Sequence, residues 1–262
     1  MRTVDKALNL LEHFTVAQPQ HGLSELSRTA DIDKATTLRM LSALARHGLV
    51  EQHPETKKYR LGKTLLKLAR VREASFPVAS VVQPVLDRLA RETGETAHGS
   101  LASGPSLLTI GVAEPQRTTR VHVDPSEALP YHATASGIAT LAFAAPEMVD
   151  NILKVQDFSI HTPDTITSAK ALSAQLAETR VRGYATAIGS YEADVIGVAA
   201  PIFDWSGHAN GAIAVASIAA RLTPELQLIA TRAVIEAAIE VTRAMGAEPS
   251  PDFITAVKAL LP

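Results

Sequence analysis

At 262 residues, with 46% hydrophobic and 20% charged side chains, the chain is long enough for a small and a medium core, so two domains are expected. The absence of cysteine excludes a disulfide framework, a thiolate metal site and a cysteine nucleophile. With no export-signal pattern and no apolar run near the ~20 residues that span a bilayer, a soluble cytoplasmic protein is expected. The formal charge of −2 divides unevenly: residues 1–75 hold 13 Lys or Arg against 8 Asp or Glu, and residues 76–262 hold 12 against 19. A basic front on an acidic remainder fits a chain of which only the first part meets nucleic acid.

In chain order, residues 3–14 read as a helix capped by Thr3, with Val4, Ala7, Leu8, Leu11 and Phe14 on one stripe. After the Gln18–Gly22 loop come two short helical segments around a break at Asp31-Ile32-Asp33. Their apolar stripes are Leu23, Leu26 and Ala30, then Leu38, Leu41, Leu44 and Ala45. Two helices joined by a tight turn have the form of a helix-turn-helix, whose second helix can enter the DNA major groove. With Leu41 facing the core, Ala35, Thr36, Arg39, Ala43 and Arg46 face outward, a small, hydroxylic and basic surface suited to base edges and phosphates. Lys34 stands at the helix start, where phosphate contact is common. Gly48 ends this helix, and two alternating runs, 50–53 and 58–61, flank the turn Pro54-Glu55-Thr56-Lys57. The hairpin makes a wing whose Lys57, Lys58 and Arg60 are placed for a phosphate backbone or a minor groove. Gly62–Ser75 reads as a further helix with Leu65, Leu68, Ala69 and Arg72 in register, closed by Phe76-Pro77.

Beyond it, residues 81–93 form an amphipathic helix with Val82, Val85, Leu86, Leu89 and Ala90 inward, stopped by Gly94. Residues 96–102, 106–113 and 119–123 read as strands, and a Pro-interrupted loop leads to Tyr131-His132-Ala133-Thr134-Ala135-Ser136-Gly137. Helices are expected from Ile138 to Ala144, from Pro146, and over 168–182 with Leu172, Leu176 and Val181 buried and Gly183 as the stop. Residues 195–203 and 212–218 form a strand pair around the turn 204–208. Thr223 caps a long helix over 224–245, and 249–262 forms a short amphipathic tail. Elements grouped this way suggest an α+β domain with a mainly antiparallel sheet.

The segments Arg2–Leu11, Lys34–Leu41 with Thr37 among them, Tyr59–Gly62, Tyr131–Gly137, Gly183–Ala185 and Ala199–Asp204 resemble, in order and spacing, IclR-type bacterial transcriptional regulators. The resemblance implies a winged helix-turn-helix domain over 1–62, a linker helix over 63–76 and an effector-binding and oligomerisation domain with a GAF-like fold over 77–262. It implies operator DNA and a small-molecule effector as partners, a homodimer joined as a dimer of dimers, and a regulator rather than an enzyme. Neither cofactor nor metal is expected, since the nine histidines, His98, His122, His132 and His161 among them, miss metal-ligand spacings. DNA contacts then fall to Lys34, Ala35, Thr36, Thr37, Arg39, Arg46, Lys57, Lys58 and Arg60.

By the same resemblance the pocket lies on one face of the sheet, closed by the loop His132, Ala133, Thr134, Ala135, Ser136 and Gly137. The plainer reading of that loop is a helix N-terminus capped by its own Ser and Thr. Small-carboxylate sensors of the family present an acid, a cysteine and two serines to the ligand, and the matching positions here are Ala187, Gly197, Ala214 and Ala216. A two- or three-carbon acid there would lack hydrogen-bond partners. A larger or more apolar effector is expected, aromatic or a ring-bearing acid, its polar end met by loop amides, His132 or Ser217. Tyr184, Tyr191 and Glu192 are further candidates for the lining. Two alternatives remain: a ligand-independent DNA-binding regulator with a vestigial pocket, and a hydrolase using Ser136 with His132 or His98 and Asp194 or Asp204. The second lacks a Gly-x-Ser-x-Gly elbow.

Overall fold

The computed structural model describes residues 2–75 and 77–261, with side chains from residue 3. The chain divides into two compact units, Met1–Pro77 and Val78–Pro262.

The first unit runs α1 (Arg2–Glu12), α2 (Leu23–Thr29), α3 (Lys34–Arg46), β1 (Val50–Gln52), β2 (Tyr59–Leu61) and α4 (Thr64–Ser75). Leu10, Phe14, Leu26, Ile32, Met40, Leu41, Leu44, Val50 and Tyr59 make its core. Asp33 caps α3 by accepting from the Thr36 amide at 2.9 Å. The buried stripe of α3 is Thr37, Met40, Leu41 and Leu44, one position off the expected one, and Leu38 and Ala45 are exposed. The cause is Thr37, whose hydroxyl donates to the carbonyls of Ile32 (3.3 Å) and Asp33 (3.0 Å) and so enters the core as a satisfied polar group. In α1 the expected stripe is also rotated: Leu10 is buried while Val4 and Leu8 are exposed, and the helix starts before Thr3, which therefore does not cap it. β1 and β2 pair antiparallel, Val50 opposite Leu61, and an extra bridge from His21 to Tyr59 pins the wing to the loop before α2. A Cβ on Gly62 would lie 2.1 Å from the Gly48 carbonyl oxygen, so the chain leaving the wing needs glycine to pass the end of α3. Helix α4 has no buried residue in this unit. The expected closure by Phe76 falls outside the described residues.

The second unit is a six-stranded antiparallel sheet of order β5-β4-β3-β8-β7-β6, from β3 (Thr96–Ser103), β4 (Ser106–Ala113), β5 (Leu129–Pro130), β6 (Ala185–Ile188), β7 (Val195–Phe203) and β8 (Ala209–Ile218). One face carries α5 (Val78–Thr93), α9 (Pro224–Ala244) and α10 (Pro251–Val257) over Ile202, Phe203, Ile213 and Val215. The other carries α6 (Ala135–Phe143), α7 (Pro146–Val155) and α8 (Ala169–Arg182) over Ala185, Ala187, Ala199, Ala212 and Ala214. Strand alternation sorts the residues: in β8 Ile213 and Val215 turn one way, and Ala212, Ala214 and Ala216 the other. The large side chains fill a thick core, and the small ones let α6 approach closely.

Residues 119–123 are not a strand. Arg120 and His122 bond to Glu114, Thr96 donates to the Val121 carbonyl at 2.6 Å, and the place beside β4 is taken by Leu129–Pro130. β6, of which the Gly183–Ala185 motif covers only the first residue, is an edge strand of the sheet. On α8 Thr179 rather than Val181 is buried, and Val181 faces outward.

Candidate functional site

In the first unit the outward face of α3 presents Lys34, Ala35, Leu38, Arg39 and Arg46, all exposed, with Thr36 half-buried among them. Arg39 Nη2 donates to Thr36 Oγ1 at 2.9 Å, which holds the guanidinium against the helix instead of leaving it to sweep through solvent. Thr37 is fully buried and turned inward, so it leaves the candidate contacts; adjacent threonines on a helix point about 100° apart and cannot share a role. Leu38, expected in the core, is 43% exposed beside Arg39. In the wing, Lys57 and Lys58 are exposed and carry no ion pair among the described residues, whereas Arg60 is bound to Glu51 at 3.0 Å. That pair cancels most of the field Arg60 would offer a phosphate.

In the second unit a pocket enclosing about 650 Å³ of empty space, mouth included, lies between the N-terminus of α6 and the small-residue face of the sheet. Eight of the ten expected residues line it: Ala133, Thr134, Ala135, Ser136, Ala187, Gly197, Ala214 and Ala216. Register explains why: Gly197 lies opposite both Ala187 and Ala216, and Ala214 opposite His98. A Cβ on Gly197 would come 3.1 Å from that of Ala135, so the floor is as bare as the helix above it requires. Thr134 caps α6, accepting from the Gly137 amide at 3.0 Å and donating to the Pro130 carbonyl at 2.8 Å. Ser190 ties the same turn to the β6–β7 loop through the Ala133 carbonyl at 2.8 Å.

Two expected pocket residues belong elsewhere. His132 is fully buried away from the pocket, its Nε2 against the Ser159 carbonyl at 3.0 Å and its ring among Phe158 and His161; burial holds its pKa below the usual value. Ala133, next in the chain, lines the pocket, while Tyr131 on the other side packs into the core. Gly137 packs on the chain instead, since a Cβ there would fall 2.4 Å from Tyr131 Cα. Ser217 and Tyr184 also lie off the pocket, while Tyr191 and Glu192 line it.

His98 is the residue whose weight was missed. It lies in the floor, 8% exposed, with Nε2 3.2 Å from Ser136 Oγ, and burial pushes its pKa down to about 4. Its Nδ1 is buried with no hydrogen-bond partner. The signal was in β3, where Thr96, His98 and Ser100 put three polar residues at alternate positions of a strand buried on both faces. This is also the Ser–His pair a hydrolase would need, but neither Asp194 nor Asp204 lines the pocket, and no acid meets Nδ1. An imidazole with a pKa near 4 is a weak base at neutral pH. Among the described residues no group of His, Asp and Glu is arranged to hold a metal ion, and no helix is long and apolar enough to cross a membrane.

The family model for the IclR helix-turn-helix domain matches residues 3–54, and that for the bacterial transcriptional regulator IclR C-terminal matches residues 73–243. Among curated relatives, the chain is 30% identical over 246 residues to the HTH-type transcriptional regulator BhcR of Paracoccus denitrificans (strain Pd 1222), spanning 94% of this chain and 88% of that one. It is 28% identical over 248 residues to the transcriptional repressor IclR of Escherichia coli (strain K12), spanning 94% and 90%. A crystal structure of an IclR-type transcriptional regulator from Silicibacter sp. TM1040 matches with a TM-score of 0.88 at 39% identity, over 96% of this chain and 99% of that one.

Proposed function

The chain belongs to the IclR family of DNA-binding bacterial transcriptional regulators, and from that premise we propose that α3 and the wing read an operator under the control of an effector held between α6 and the sheet. The observation that carries the DNA side is the pairing of Arg39 with Thr36 on an exposed helix face. Arg39 and Thr36 meet base edges, Ala35 permits close approach, and Lys34, Arg46, Lys57 and Lys58 meet phosphates. Arg60 contributes less, because Glu51 already holds it.

Val4 and Leu8 on α1 and Leu66, Leu68 and Val71 on α4 are exposed apolar side chains that a second copy would cover. Pairing there would set two α3 helices on the half-sites of a palindrome, and a dimer of dimers would extend the assembly. The work of such a protein is done in the cytoplasm, at the chromosome, and involves no chemical step. On the ligand side, Ala187, Gly197, Ala214 and Ala216 offer no side-chain hydrogen bond and leave His98 and Ser136 as the polar groups of the floor, which favours a larger and more apolar effector over a two- or three-carbon acid. Binding would shift the population of sensor states by its differential affinity for them. Gel-shift titration against fragments of the promoter region tests the first half: Arg39→Ala and Thr36→Ala should each weaken binding with the melting temperature unchanged, and undiminished affinity in both would overturn the assignment of α3.

A further inference from the structure

The charge around the pocket says more about its ligand than the floor does. The acidic side chains lining it are Asp124, Glu127 and Glu192; of the histidines there, His98 is buried and His122 is bound to Glu114 at 3.1 Å, and among the described residues no Lys or Arg joins them. Arg117 and Arg221 are bound to Glu95, and Arg120 to Glu114. Asp124 is kept ionised by the amide and hydroxyl of Ser126, at 2.8 and 2.7 Å, which hold its carboxyl below the usual range. Glu127 has a weak bond from the Tyr191 hydroxyl at 3.5 Å. Opposing these acids is the partial positive charge at the N-terminus of α6, about half a unit against three full negative ones. An anion entering the pocket would therefore approach three carboxylates whose one imidazole neighbour, His122, is already held by Glu114, whereas a cation would be drawn in.

The interior specifies the other end of the ligand. Val121, Val123 and Val195 wall an alanine and glycine floor, so the body of the ligand is apolar. At the bottom, His98 is more than nine-tenths buried and leaves Nδ1 unpartnered while Nε2 faces the Ser136 hydroxyl. A buried polar atom without a partner is costly, and a hydroxyl or carbonyl on the ligand would supply one.

Resting on the reading of this pocket as the effector site, we infer that it takes an organic amine: a protonated nitrogen among Asp124, Glu127 and Glu192, an apolar ring-sized body over the alanine floor, and a hydroxyl or carbonyl at His98 and Ser136. The Tyr191 ring at the mouth adds an aromatic face for the cation.

Three probes that share one ring and differ in terminal charge test this: tyramine, its uncharged alcohol analogue tyrosol, and the anion 4-hydroxyphenylacetate. Each is titrated calorimetrically into the full chain without DNA. The amine should bind about tenfold or more tighter than the acid, with the alcohol between them. In the Glu127→Gln, Glu192→Gln double variant, whose substitutions are on exposed side chains, the preference for amine over acid should shrink severalfold while the alcohol is unaffected. The acid binding as tightly as the amine, no heat from any of the three at millimolar concentration, or an unchanged preference in the double variant would each overturn the inference. Operator binding is measured separately by gel shift. Loss of amine binding with operator binding intact defeats this proposal alone, while failure to bind any operator defeats the regulator reading and leaves the calorimetry standing.

Discussion

In the winged unit the proposed contacts follow one another along a single helix and one hairpin, Lys34 to Lys58, and their side chains face solvent. In the sensor unit the pocket draws on β3, β6, β7, β8 and the start of α6, and the polar groups at its floor, His98 and Ser136, are buried. The difference is one of coupling. A reading residue on an exposed helix face can be replaced without disturbing the core beneath it, whereas a pocket residue that also closes the core cannot change without changing stability. Substitutions should therefore split into two classes, binding without stability in the first unit and stability with binding in the second.

The largest expected effect is on the sensor side. His98 has its pKa lowered from 6.5 to about 4 by burial, so the unfolded chain takes up the proton first. The stability this neutral imidazole contributes is complete above pH 6.5 and is lost as pH falls toward 4, by ~3 kcal/mol in all. Urea unfolding of the parent and of His98→Gln should show the stability of the parent relative to the variant falling by that amount over the window. Parallel pH profiles would break the comparison. Next is Gly137→Ala, whose Cβ would meet the Tyr131 backbone; roughly 1–3 kcal/mol should be lost, read as a lower thermal midpoint. A midpoint equal to the parent's would mean that α6 can move, and that the pocket is softer than its packing suggests.

The reader side gives the smaller effects on stability and the cleaner ones on binding. Arg39→Ala should weaken operator binding by roughly tenfold to a hundredfold, the range of a lost base contact, while the thermal midpoint stays within a degree or so. A lower midpoint would show that the Arg39–Thr36 pair supports the fold as well. Lys58→Ala is the mildest: affinity should fall alike on all sequences, and the slope of log affinity against log salt should lessen by about 0.9. An unchanged slope would remove the wing from the phosphate backbone.

Most elements were legible in the sequence because they rest on local physics. The inward residues of α5, Val82, Val85, Leu86, Leu89 and Ala90, are the ones buried in the structure, and the strand pair around the turn at 204–208 follows from alternation and a glycine turn. Errors came where a polar residue replaced an apolar one in the core. Thr37 rotated the buried stripe of α3 and freed Leu38, and Thr179 did the same to Val181 on α8. Helical spacing of apolar residues cannot register a buried threonine: the Thr37 hydroxyl satisfies itself on backbone carbonyls, while that of Thr179 is buried with no hydrogen-bond partner. The stretch 119–123 failed differently. Its strand propensity is real, but Glu114 holds Arg120 and His122 while Leu129–Pro130 occupies the edge of the sheet. For the pocket, the small-residue positions were readable and the polar ones were not: His132 and His98 are the same residue type, and only the turn of the chain decides which of them reaches the cavity.

The sequence by itself determined the helices and the four longer strands, the basic front and acidic remainder, and the alanines and glycine of the sheet face, since each depends on periodicity, composition or turn chemistry among neighbours in the chain. Tertiary structure alone decided which histidine is aimed at the cavity, which threonine fills a core position, and that three carboxylates share one mouth. Those facts arise from strand register and from loops meeting across gaps of tens of residues, and no local pattern encodes where two distant side chains will come to rest.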